Sequence, residues 1–255
     1  MVEERHSTET QSPWWGEHLF RYQWAEQYIR APMKILDLAC GTGFGSALLA
    51  RIEGVAVIGG DLDPPSLAAA AAEYRTESGP HFAAMDGTRL PLPDRSLDLI
   101  LSYETVEHIE QYHDFVVELA RILKKGGTLL LSTPNRLVAS PDGVMRNPFH
   151  TQEFDMQELG RVLSGPFSEV AVMGQHYARF DQLPGMRGLI GKAAESFFYL
   201  RGIRKLPMSL QDGVIRFLIG HPQYPTASDY QVVSEPARIE RCRTLMAVAS
   251  GPTSD

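Results

Sequence analysis

Residues 34–50 read KILDLACGTGFGSALLA, and no other stretch constrains the fold as much. An apolar run ends in Asp37, glycines follow at 41, 43 and 45, and small and apolar residues resume. That order reads as strand, tight turn, helix. Glycine reaches positive φ and lets the backbone approach a ligand closely. In a dinucleotide turn the glycines are spaced G-x-G-x-x-G and a pyrophosphate sits on the helix N-terminus. Here the spacing is G-x-G-x-G, and an acid stands four residues before the first glycine. A carboxylate beside a phosphate seat repels the phosphate at short range. It suits a ligand that carries a cationic amine.

The same rhythm continues along the chain. Strands are expected at 33–38, 55–61, 81–85, 97–103, 128–135, 168–174 and 244–250. Helices are expected at 14–30, 43–52, 64–74 and 154–163. A further amphipathic helix carries Phe115, Val116, Leu119, Ile122 and Leu123, with KKGG as its C-terminal cap. Strands alternating with helices imply a parallel sheet covered on both faces. Ligands in such sheets bind at the carboxyl ends of the strands, near the switch in strand order. Asp61 ends the second strand, where an acid accepts hydrogen bonds from ribose hydroxyls, of NAD as readily as of other nucleosides. Asp86 follows the third and is placed to accept from an adenine amine. Three acids at three successive strand ends are an unusual coincidence for solvated loops.

Composition narrows the class. Lys and Arg number 24 against 31 Asp and Glu, a net charge of −7, which argues against a general nucleic-acid binder. No run of 18 apolar residues is present, so no membrane span is expected. The polar start lacks an apolar signal core, and Cys40 and Cys242 form neither a disulfide framework nor a zinc spacing. A cytoplasmic protein is expected. Residues 1–12 read as a disordered tail, 13–177 plus 241–250 as the core, and 178–240 as an inserted helical cap. That cap is basic and aromatic near Phe197, Phe198 and Tyr199. It is expected to cover the core, with a homodimer through its helices as one outcome.

DLACGTGFG, GGDLD, AMDGTRLPLPDRSLDLI and RILKKGGTLLLSTPN together resemble the class I S-adenosylmethionine-dependent methyltransferases over about residues 14–175. GEHLFRYQWAEQYI and NPFHTQEF resemble a subgroup associated with small-molecule, sugar and polysaccharide modification. The resemblance implies a Rossmann-like, doubly wound α/β sheet of seven strands with the last antiparallel. The 178–240 insertion departs from the hairpin that normally joins the last two strands. The resemblance also implies a cofactor site. Asp37 and the Gly41–Gly43 loop would face the methionine part, Asp61 and Leu62 the ribose and adenine, and Asp86 and Gly87 the adenine. Ser102, Tyr103 and Glu104 would line the methyl-donor pocket. Ala39 stands where the family usually has glycine.

Methyl transfer needs a nucleophile roughly 3 Å from the sulfonium methyl, in line with the breaking bond. A hydroxyl acceptor must also lose its proton. SYETVEHIEQ (102–111) follows the fourth strand, and His108 is the candidate general base. Glu104, Glu107, His108 and His150 form a second possibility, a mixed oxygen and nitrogen site for a divalent metal. That set is similar to the one in metal-dependent small-RNA 3′-end 2′-O-methyltransferases and, in part, to the motif of ubiquinone-pathway O-methyltransferases. The leading expectation is methylation of a hydroxyl on a small molecule such as a sugar or secondary metabolite. The alternatives are small-molecule N-methylation, RNA 2′-O-methylation, and a binding protein without turnover.

Overall fold

The computed structural model describes residues 14–179, 181 and 224–253. The chain divides into two compact units. Trp24–His176 with Val232–Asp255 makes the larger, and Thr10–Gln23 with Tyr177–Gln231 the smaller. Most of the expected cap, residues 182–223 and with them Phe197, Phe198 and Tyr199, lies outside the described residues.

Among the described residues the strands are β1 (Met33–Leu38), β2 (Val55–Asp61), β3 (His81–Ala84), β4 (Leu97–Tyr103), β5 (Leu123–Pro134), β6 (Phe167–Tyr177), β7 (Tyr230–Val233) and β8 (Thr244–Pro252). They form one sheet in the order β3-β2-β1-β4-β5-β8-β6-β7. The pairs β1–β2, β1–β4, β2–β3 and β4–β5 are parallel. β8 is antiparallel to both β5 and β6, as expected of the last strand. The sheet has eight strands where seven were expected. The extra one, β7, lies at the edge beside β6 and comes from the stretch read as helical. Its sequence YQVV is rich in β-formers and buries Val233.

The central strands read as almost continuous apolar runs because helices cover both faces of the sheet. Leu36, Ile100, Leu129 and Leu131 are fully buried with Phe115, Leu119 and Ile122. Each such side chain stabilises the fold by roughly 1.5–3 kcal/mol relative to exposure. The helices are α1 (Trp15–Ala25), α2 (Phe44–Leu49), α3 (Pro64–Glu73), α4 (Tyr112–Ile122), α5 (Arg136–Ala139), α6 (Met156–Ser164) and α7 (Pro236–Ile239). α3 starts on Asp63, whose carboxylate accepts from the Ser66 amide. α6 starts on a capping box of Asp155 and Glu158.

KKGG does not cap α4. The helix stops at Ile122, and Leu123 already pairs with Leu97. The register then jumps, so that Leu99 faces Thr128. Lys124 holds Asp98 at 2.6 Å across this bulge. A Cβ on Gly127 would meet Leu123 at 2.8 Å, which explains a glycine there.

Arg121, near the end of α4, fastens the loop that precedes β4. It binds Glu118, Asp94 and the carbonyls of Leu90 and Leu92. Glu118 also accepts from the Leu90 amide at 2.6 Å. The hydrogen bonds from Arg121 hold the Glu118 carboxyl below the usual carboxylate range. A depressed folded pKa gives stability that is present above the unfolded value, near ~4.3. That stability is lost as pH falls through the folded value. Arg121→Leu is expected to cost about 1–2 kcal/mol at pH 7, the guanidinium being partly exposed. Denaturant melts should show the gap between wild type and variant closing as pH drops below about 4.

Candidate functional site

The chain changes direction in strand order between β1 and β4, and the residues just past these strands carry two of the three left-handed non-glycine residues among those described, the third being Arg95 before β4. Ala39 follows β1 with φ 62°, and Glu104 follows β4 with φ 53°. Left-handed backbone at a non-glycine residue costs on the order of 1 kcal/mol. Two such residues flank the switch point of the sheet, where this class of fold binds ligands. A left-handed turn is what glycine adopts without strain, which fits the glycine that the resemblance implies in place of Ala39.

Asp37 is buried at the end of β1 and accepts a 2.6 Å hydrogen bond from Ser46 Oγ at the start of α2. Asp61 closes the glycine turn. Its Oδ2 accepts from the Gly41 amide at 2.9 Å and its Oδ1 from the Asp63 amide at 3.0 Å. A carboxylate has about four acceptor positions, so these two bonds leave room for hydroxyl donors. Burial and the charges of Asp37 and Asp61 push the Cys40 thiol far up, so it stays protonated and is no nucleophile.

The glycines of the turn differ from one another. Gly41 has φ 55°, and a Cβ there would meet nothing within 4 Å, so it faces open space. Gly43 has φ 77°, and its Cβ would lie 2.6 Å from the Phe82 ring. A Cβ on Gly59 in β2 would also lie 2.6 Å from the Phe82 ring. Gly43 thus has a packing reason that its place in the motif does not reveal. Gly87 is similar: its Cβ would meet Phe115 at 2.6 Å.

On the adenine side, Leu62 is 71% exposed. Asp86 is exposed, and Thr88 donates to its Oδ1 through both amide and hydroxyl, which hold the carboxyl below its usual range. Ser102 and Tyr103 are buried at the end of β4. Ser102 Oγ has no hydrogen-bond partner among the described residues.

Three of the four residues expected to converge after β4 and β5 do so. One ligand atom each from Glu107, His108 and His150 lie within 4.8 Å of one another. Glu104 is outside this group, its carboxylate accepting from Ser132 Oγ at 2.7 Å. Glu107 is buried and accepts from Thr133 Oγ1 at 2.9 Å. His108 Nδ1 lies 2.9 Å from the Phe149 carbonyl. A carbonyl only accepts, so Nδ1 carries the proton and Nε2 is left open. Nε2 is 3.9 Å from Glu107, and the side chain is 33% exposed. The two imidazoles meet edge to face, with centroids 5.0 Å apart.

NPFHTQEF contributes more than His150. Gln152 Nε2 donates to the carbonyls of Val106 and Ile109, and Thr151 donates to that of Glu107 through its amide and hydroxyl. The segment thereby clamps the backbone on both sides of His108. Sequence inspection singled out only His150 here, since polar residues that bind backbone carbonyls carry no spacing signature.

The two turn glycines separate packing from exposure. Gly43→Ala should destabilise the protein by about 2–4 kcal/mol, from overpacking plus left-handed strain. Gly41→Ala should cost only about 1 kcal/mol, from strain alone. Denaturant melts of both variants check the ordering, and equal losses would contradict it.

Comparison with known proteins agrees with this geometry. Residues 36–131 match a family model described as a methyltransferase domain. A Mycolicibacterium smegmatis protein named "Probable S-adenosylmethionine-dependent methyltransferase" is 35% identical over 62% of this chain and 60% of its own length. The chain therefore spans about three-fifths of that relative. The ubiquinone biosynthesis O-methyltransferase of Rhizobium rhizogenes is 28% identical over 41% of this chain and 42% of its own length. A solved S-adenosylmethionine-dependent methyltransferase from Thermotoga maritima has the same fold. Its TM-score is 0.60 at 16% identity, over 92% of this chain and 89% of that one. These matches place a methyltransferase domain at residues 36–131, within a sheet that has the fold of S-adenosylmethionine-dependent methyltransferases.

Proposed function

We propose that this chain transfers a methyl group from S-adenosylmethionine to a hydroxyl of a small molecule, with His108 as general base. The observation that carries the proposal is the state of His108: Nδ1 is committed to the Phe149 carbonyl and Nε2 is open, on the turn after β4. An amine acceptor needs no such base, since it attacks once it is neutral. The relative named as an O-methyltransferase supports the same choice. The net charge of −7 disfavours an RNA acceptor.

The cofactor fits the residues present. The space over Gly41 is open, Asp61 retains acceptor capacity, and Ser102 holds a buried hydroxyl without a partner among the described residues. Asp37 is a buried acid that complements the cofactor's amine across the turn. When bound, S-adenosylmethionine supplies a sulfonium methyl whose bonding electron pair stays with sulfur. The chain's own residues do the rest. His108 Nε2 accepts the acceptor's proton as the new oxygen–carbon bond forms. The imidazolium so made lies 3.9 Å from Glu107 Oε1, where a carboxylate stabilises it.

The approach of Glu107, His108 and His150 favours a second reading, in which a divalent metal activates the hydroxyl. Against it, both ring nitrogens of His150 are engaged, one by Glu153 and one by Asn147. Among the described residues no helix is long and apolar enough to cross a membrane.

Calorimetry is expected to show 1:1 binding of S-adenosylmethionine by the wild type. Asp61→Asn should weaken it by about ten-fold or more, since it replaces a charged acceptor at the ribose and turn. NADH binding in place of S-adenosylmethionine would overturn the proposal. With an acceptor found by screening S-adenosylhomocysteine release, His108→Ala should lower kcat by about 100-fold or more and leave cofactor affinity intact. Activity that survives EDTA separates the base from the metal reading, and loss on chelation with recovery on metal addition favours the metal.

A further inference from the structure

Glu153 has no place in the scheme above, yet it is one of the most deeply buried acids of the larger unit. Its side chain is 2% exposed, and its Oε1 lies 2.8 Å from His150 Nδ1. Its Oε2 is buried with no partner among the described residues. A buried carboxylate held by one imidazole is a poor device for stability. Its value lies in what the imidazole does next.

Four hydrogen bonds, the last two joined through the backbone of Phe149, lead from Glu153 to His108. Glu153 meets His150 Nδ1 at 2.8 Å, and His150 Nε2 meets Asn147 Nδ2 at 2.9 Å. Asn147 Oδ1 accepts from the Phe149 amide at 3.0 Å, and the Phe149 carbonyl meets His108 Nδ1 at 2.9 Å. The polarity of every link is determined. The Phe149 amide only donates, so Asn147 must present its oxygen there and its NH2 to His150. His150 Nε2 is then an acceptor, and its proton sits on Nδ1, pointing at Glu153. At the far end the Phe149 carbonyl only accepts, so the His108 proton sits on Nδ1.

We propose that Glu153, acting through His150 and Asn147, is a positioning residue that holds the 147–149 turn so that Phe149 fixes the His108 tautomer. The open Nε2 of His108 is the consequence. This extends the reading of His108 as the base, and it makes His150 a link in the chain. A carboxylate orienting one histidine that shapes the setting of another is the outer-shell arrangement that fixes imidazole tautomers elsewhere.

The test is a long-range 1H–15N NMR spectrum of the full chain labelled with 15N-histidine, with His108→Ala used for assignment. Wild-type His108 should show a protonated Nδ1 and a bare Nε2. Glu153→Ala and Asn147→Ala should each erase that pattern and give averaged nitrogen shifts. With an acceptor in hand, kcat should fall by about ten-fold or more with cofactor affinity unchanged, in the range a misplaced catalytic group costs. Glu153→Gln keeps an oxygen for His150 Nδ1–H and should retain the wild-type His108 pattern. If Glu153→Ala does not fold, Asn147→Ala, in a largely exposed turn, and Glu153→Gln carry the test. A wild-type His108 protonated on Nε2 overturns the proposal, as does an unchanged His108 pattern in Asn147→Ala. The spectrum does not depend on turnover. Full activity of His108→Ala would end the general-base reading, and the relay would still stand or fall on the tautomer.

Discussion

The hydrogen bonds that Asp61 accepts from the amides of Gly41 and Asp63 join the ends of two parallel strands at the edge where the site lies. One carboxylate thereby sets the exit of β1, the exit of β2 and the start of α3, whose cap is Asp63. Without it the Gly41 amide would lose its carboxylate acceptor at the open face of the turn. The rest of the site is built outward from this edge. Asp37 lies one strand in, buried against Ser46, and β4 delivers Ser102, Tyr103 and the His108 turn beside it.

Two kinds of glycine share the motif. Gly41 presents bare backbone to open space, which is what close approach by a ligand requires. Gly43 and Gly59 leave room for the Phe82 ring, which holds the short edge strand β3 against β2. A short glycine motif therefore encodes both a binding surface and the packing that supports it. Its spacing alone does not say which glycine does which.

The fold was largely legible in the sequence because apolar runs and turn residues agree with one another. The strands β1, β2 and β4 fall where expected, since each is a mostly apolar run bounded by turns or charge. KKGG misled because cations followed by glycines mark helix ends and also suit a β-bulge. The choice was made by Lys124 pairing with Asp98, which lies 26 residues away. β7 was missed because four residues, three of them β-formers, beside a proline-rich stretch carry little periodicity. The site was legible where a residue type carries the chemistry, as at Asp61 or His108. It was not legible where a residue acts through backbone atoms. Gln152 grips two carbonyls and Asn147 orients a turn, and neither role leaves a pattern in a single sequence. Glu104 was grouped with the histidines by spacing, and it was the left-handed turn after β4 that gave it to Ser132.

The most direct measurement is a crystal structure of the chain with S-adenosylhomocysteine and an acceptor found by screening. The account predicts the ribose hydroxyls on Asp61, the adenine between Leu62 and Asp86, and the acceptor hydroxyl within hydrogen-bond reach of His108 Nε2. An adenosyl group bound away from the Gly41 turn, or an acceptor oxygen that meets no nitrogen of His108, would contradict it.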